Sequence, residues 1–116
     1  MADGVKLGNV LYPTADVPAA VAFYGDTLGC TVKFQDGGRF AALDAGGATL
    51  ALAGPEEDVT GGRPAASFKV KDLDGTVQRL LAAGAELHRP AEEGPHETRA
   101  VLLDPWGNPV VVYSSR

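Results

Sequence analysis

The 116-residue chain is poor in the residues that staple or decorate a small fold: it has one cysteine, one tryptophan, one methionine and two histidines. Cys30 has no partner for an intramolecular disulfide, and with His88 and His96 it falls short of the Cys/His density of a structural zinc module. The fold must stand on its apolar core. No window approaches the roughly 18 uninterrupted apolar residues of a membrane-spanning helix, so no membrane partner is expected. Basic residues are also scarce, 10 Lys and Arg against 15 Asp and Glu, for a net charge of −5. That is the opposite of the footprint a phosphate backbone selects, which excludes nucleic acid as an expected partner. The opening MADGVKLGN has no basic segment leading into an apolar one, so no secretory signal is read and a cytoplasmic location is the expectation. What is present is ordinary: 45% hydrophobic and 22% charged residues, enough for one domain able to bury about two thirds of its surface.

Comparison of the chain with itself is more informative. Val10 to Tyr12 leads to Asp16 and then to Val17, Ala20, Val21, Tyr24 and Leu28 at helical spacing, ending at Gly29. Phe68 and Val70 lead to Asp72 and then to Leu73, Thr76, Val77, Leu80 and Leu81, ending at Gly84. Each Asp stands where an N-cap accepts the first free amides of a helix, and each Gly where a residue of positive φ ends one. Further along, Arg39, Asp44 and Gly47 keep the spacing of Arg99, Asp104 and Gly107. Each of these segments reads as a hairpin, Phe40 to Leu43 turning into Thr49 to Leu52, and Ala100 to Leu103 turning into Val110 to Tyr113. Extra strands are read at Cys30 to Gln35 and Glu86 to His88, and Pro90 to Thr98 as irregular. The result is two β-α-β-β-β modules, at about 5–53 and 65–115, joined by the Gly- and Pro-rich linker 54–64.

The run from Thr14 to Gly29 resembles the first helix of the vicinal oxygen chelate superfamily, the glyoxalase/bleomycin-resistance/dioxygenase group, and Asp104-Pro-Trp-Gly-Asn108 resembles its second hairpin turn. The likeness runs from about Lys6 to Ser114. It implies a single α+β domain in which two βαβββ modules form a curled mixed sheet around a U-shaped cleft, with the helices on the convex side. It also implies a homodimer with clefts partly formed across the interface.

In metal-dependent members of that superfamily, four side chains on the concave face hold a divalent ion. Here the matching positions are Asn9, Ala51, Ala65 and Val111, none of them a histidine or a carboxylate. Three have no donor atom, so neither a metal nor any other cofactor is expected. The bleomycin-resistance type, which lacks the metal, implies instead a protein that sequesters a small molecule without chemistry. A bulky, aromatic natural product or antibiotic is the expected ligand, in the manner of self-resistance.

Strand alternation puts Leu11 in phase with Asn9, Ala53 with Ala51, Ser67 with Ala65 and Tyr113 with Val111. The opposite phase, Val10, Leu50, Leu52, Phe68, Val70, Val110 and Val112, is uniformly apolar, as a helix-packed face requires. The candidate ligand-binding residues are Asn9, Leu11, Phe40, Ala51, Ala65, Ser67, His96, Trp106, Val111 and Tyr113. Trp106 either packs over its hairpin or stacks on a ligand, with packing favoured. Tyr113 and Phe40 either wall the site or fill the core. Arg39 and Arg99 either pair with carboxylates or meet an acidic ligand, and their repetition favours pairing. The alternative function is a metal-independent lyase- or isomerase-like enzyme using acid-base side chains such as His96 and Glu97. No pair of residues has the signature of a nucleophile and its base, so no catalytic residue is assigned.

Overall fold

The computed structural model describes residues 4–94 and 96–115. The described residues divide into two compact units, those within 9–64 and those within 65–115 together with residues 4–8. The class is α+β, and each unit follows the β-α-β-β-β order read from the repeat.

The first unit takes most of β1 (Lys6–Pro13), then α1 (Val17–Val21) running on as a π-helical turn (Ala22–Thr27), β2 (Thr31–Asp36), β3 (Phe40–Asp44), β4 (Thr49–Ala53) and a 3-10 turn (Pro55–Glu57). Its strands lie in the order β2-β3-β4-β1, antiparallel except for the parallel pair β1 and β4. The second unit has β5 (Ala65–Lys69), α2 (Leu73–Ala82), β6 (Glu86–Glu93), β7 (Glu97–Leu103) and β8 (Pro109–Ser115). Its order is β5-β8-β7-β6, again with the one parallel pair, β5 and β8, placed against two antiparallel ones.

The helices start and stop for the reasons the sequence gives. The Asp16 carboxylate accepts the Ala19 amide at 3.1 Å and the Asp72 carboxylate the Gly75 amide at 3.0 Å, each satisfying a first-turn donor. Gly29 and Gly84 follow the helices at φ +107° and +106°, where any side chain on Cα would be strained. Each helix then buries one stripe against its own sheet. Val17 packs with Ala41, Leu43 and Leu52, joined by Tyr12, Ala20, Val21, Tyr24 and Leu50. Leu73 and Val77 pack with Val70, Ala100, Leu102 and Val112, joined by Phe68, Leu80, Leu81 and Val110. Fully burying a side chain such as Leu43, Leu52 or Leu102 contributes about 1.5–3 kcal/mol, and these residues carry the fold.

Three readings need correction. Leu28 is not on the packed stripe but 67% exposed. The Leu28 amide donates to the Phe23 carbonyl five residues back, at 3.0 Å, and this wider turn rotates less per residue than an α-helix, so position 28 is displaced from the stripe that ordinary winding would continue. The strand at Glu86 to His88 extends to Glu93, so most of the supposed irregular stretch is ladder. Pro90 is tolerated because β6 is the last strand of its sheet and the register shifts on both sides of Arg89, leaving room for a residue without an amide hydrogen. Finally, the two hairpin arginines are not equivalent. Arg39 meets Glu57 at 2.7 Å, Glu56 at 3.5 Å and Asp36 at 4.0 Å, whereas Arg99 forms no ion pair among the described residues.

Candidate functional site

Because Tyr12, Leu50, Leu52, Ala41 and Leu43 point to the helix of the first unit, alternation sends their neighbours to the other face of that sheet. Leu11 partners Ala51 across β1 and β4, Ala42 partners Ala51 across β3 and β4, and Phe40 partners Ala53. Leu11 and Ala51 are buried and Phe40 is half-buried. Asn9, at the start of this row, has its side-chain oxygen buried with no hydrogen-bond donor among the described residues. An acceptor left in that state costs about 1–3 kcal/mol, so it is a polar position with its bonding capacity unspent.

Lys33 joins this face although no periodicity announces it. Val32 partners Leu43 and Phe34 partners Ala42, so Lys33 is the extra residue of a bulge in β2. From there its amino group donates to the Thr49 hydroxyl at 3.1 Å.

In the second unit the same logic applies. Val70, Phe68, Ala100, Leu102, Val110 and Val112 face α2, which leaves Ala65, Ser67, Lys69, Val101, Arg99, Glu97, Val111 and Tyr113 on the helix-free face. Ala65, Ser67 and Val111 are buried there. Register places Ser67 beside Val111, Val111 beside Val101, Lys69 beside Tyr113, and Tyr113 beside Arg99. Half-burial pushes the Tyr113 phenol above its ordinary pKa, with the Glu97 charge adding to the effect.

The two hairpin aspartates build their turns alike. Asp44 accepts the amides of Gly46 and Gly47 at 3.0 and 2.9 Å, and Asp104 those of Trp106 and Asn108 at 2.9 and 2.8 Å. Hydrogen bonds to the charged form hold both carboxyls below the usual aspartate range, led by the Gly47 amide for Asp44 and the Asn108 amide for Asp104.

The structure separates residues that the sequence groups together. Trp106 is 82% exposed. It rims a recess of about 250 Å³ formed by Leu80, Ala83, Ala85, Leu102 and Val110. Leu80, Leu102 and Val110 belong to the helix-packed cluster, so Trp106 sits on the α2 side of its sheet, opposite Tyr113, neither buried under the hairpin nor on the helix-free face. His96 is exposed just before β7 and has no hydrogen-bond or ion-pair partner among the described residues. His88 is exposed on β6.

The positions that match metal ligands in the resemblance lie on these helix-free faces as Asn9 and Ala51 in one unit, Ala65 and Val111 in the other. One amide and three side chains without donor atoms do not fit a divalent ion. Among the described residues, no cluster of three or more His, Cys, Asp and Glu side chains offers another place for one.

A family model confirms the class: the chain belongs to the Glyoxalase/Bleomycin resistance protein/Dioxygenase superfamily, matched over residues 6–112. It is 38% identical over 105 residues to an uncharacterized protein of Mycolicibacterium smegmatis, covering 90% of each chain. Among solved structures it resembles methylmalonyl-CoA epimerase from Mycobacterium tuberculosis, with a TM-score of 0.75 and 24% identity over 100% of this chain and 93% of that one. It also resembles a glyoxalase/bleomycin resistance protein/dioxygenase superfamily member from Vibrio splendidus 12B01, with a TM-score of 0.74 and 19% identity over 96% and 99% of the two chains. These likenesses establish the fold, in which binders and enzymes both occur.

Proposed function

We propose that the chain binds and sequesters a small, bulky and partly aromatic molecule without converting it, in the manner of the bleomycin-resistance branch of its superfamily. The observation that carries this reading is the donor set at the superfamily's ligand positions: Asn9, Ala51, Ala65 and Val111 can contact an organic molecule but cannot assemble a Lewis acid. The small side chains Ala51, Ala65 and Ser67 keep the helix-free faces low. The unsatisfied Asn9 oxygen supplies an acceptor for a ligand N–H or O–H, and Phe40 and Tyr113 supply aromatic surface. Leu11 adds apolar surface to the helix-free face of the first unit and Val111 to that of the second. His96 is exposed and forms no hydrogen bond with Glu97 among the described residues, so no acid-base pair is assigned to it.

The test is calorimetric titration with a panel of aromatic antibiotics that includes metal-free bleomycin, followed by chromatographic recovery of each bound compound. Saturable binding with full recovery of unchanged compound is expected. Conversion of a bound compound at a rate above the buffer control overturns the reading in favour of an enzyme. Absence of binding across the panel overturns it as well.

A further inference from the structure

Across the helix-free face of the second unit, Lys69 on β5, Tyr113 on β8 and Arg99 on β7 stand side by side in register. They share one face because Phe68, Val112 and Ala100, their chain neighbours, pack toward α2. All three are hydrogen-bond donors. The Arg99 guanidinium has no ion pair among the described residues, although Arg39, its counterpart in the repeat, has three carboxylates around it. Glu92 stands opposite Arg99 across β6 and β7, but its carboxylate is 3.7 Å from Arg89. The Tyr113 phenol is half-buried against Gly8.

We propose that this row receives a single carboxylate on an aromatic or apolar ligand, the guanidinium of Arg99 forming the main contact and the Tyr113 hydroxyl a second hydrogen bond. The proposal rests on the sequestering reading above and adds the ligand's charge to it. Charge counting selects the anion. Arg99 and Lys69 bring two positive charges and Glu97 one negative, while Arg89 and Glu92 cancel each other, so the row carries one net positive charge. A carboxylate neutralises it, whereas a phosphate ester of about two charges at pH 7 would overshoot and meet Glu97. Since the whole chain has a net charge of −5, long-range attraction does not draw anions to it. Selection has to come from this local arrangement, where a guanidinium offers a carboxylate two parallel hydrogen bonds.

The experiment is calorimetric titration of the full chain with 2-naphthoate, 2-naphthamide and 2-naphthyl phosphate. The acid is expected to bind at least about tenfold more tightly than the amide, the scale of a hydrogen bond to a charged group, and more tightly than the phosphate. Arg99→Gln should level acid and amide, Tyr113→Phe should narrow the gap, and Arg39→Gln should leave it unchanged. Equal affinity of the wild type for acid and amide, preference for the phosphate, no binding of the acid at millimolar concentration, or a gap that survives Arg99→Gln each overturns the proposal. Melting curves accompany every variant, and if Arg99→Gln fails to fold, the three-ligand comparison on the wild type decides. Such a failure leaves the sequestering reading intact, because that reading stands or falls on the antibiotic panel.

Discussion

The Tyr113 phenol lies against the Cα of Gly8, so a methyl group at position 8 would occupy the space of its hydroxyl. The glycine is fixed here by the ring it faces. Gly8→Ala should therefore force the half-exposed ring aside, at a cost of about 0.5–1.5 kcal/mol, the scale of an off-rotamer side chain. In a Tyr113→Ala background the same change should cost almost nothing. Urea denaturation of the two single variants and the double variant measures this coupling, and additive effects would show that the ring is not what position 8 accommodates.

Acid should weaken the chain at its hairpin turns. Asp44 and Asp104 have folded-state pKa values below the usual aspartate value, so each contributes stability that is fully present above the unfolded pKa near 3.9 and is lost as pH falls through the depressed folded one. Melting temperatures are expected to be flat with respect to these groups above about pH 5 and to fall below about pH 4. Asp44→Asn and Asp104→Asn should each lower the melting temperature at pH 7 and reduce its slope at low pH. A variant whose low-pH slope equals that of the wild type would remove that carboxylate from the account.

Purified protein should hold no stoichiometric divalent ion. Zinc, nickel, manganese, iron or cobalt added in excess should dialyse away against buffer, because the four positions on the helix-free faces supply one amide oxygen between them. Elemental analysis after dialysis checks this, and one retained ion per chain would mean that the ligand positions are wrongly placed.

A homodimer is expected. Phe23, Leu28, Val32 and Phe34 are 60%, 67%, 43% and 57% exposed in the first unit, and the last two lie on β2, the open edge of its sheet. Large apolar side chains beside an unpaired edge favour a second chain as cover. Light scattering should give twice the 12.0 kDa chain mass, and Phe34→Lys should shift the balance toward monomer. A single-chain mass across micromolar concentrations overturns the expectation.

Features set by local chemistry were legible in the sequence: Asp16, Asp72, Gly29, Gly84, Asp44 and Asp104 do in the structure what their residue types demand. Strand phase was legible too, since one apolar helix-packed face per sheet leaves alternation no freedom. What escaped depends on distant partners. Lys33 enters the helix-free face only through a bulge, which period-two reasoning steps over. Pro90 reads as a breaker until β6 is known to be an edge strand. The repeat made Arg39 and Arg99 look equivalent, and only the positions of Glu56 and Glu57, in a stretch without counterpart in the other half, set them apart. Trp106 in a turn gives no hint of side, and alternation stops where the strand does.

The π-helical turn between Ala22 and Thr27 can also be expressed as chain length. A turn closed five residues back instead of four holds one residue more than the packed stripe uses, so this helix is, in effect, one residue too long for its sheet. The surplus places Leu28 in solvent while Gly29 still ends the helix. Deleting a single residue from the turn would restore ordinary winding and change which side chain stands one turn beyond Tyr24, making the segment a length dial that sets which side chain covers the end of the first unit's core.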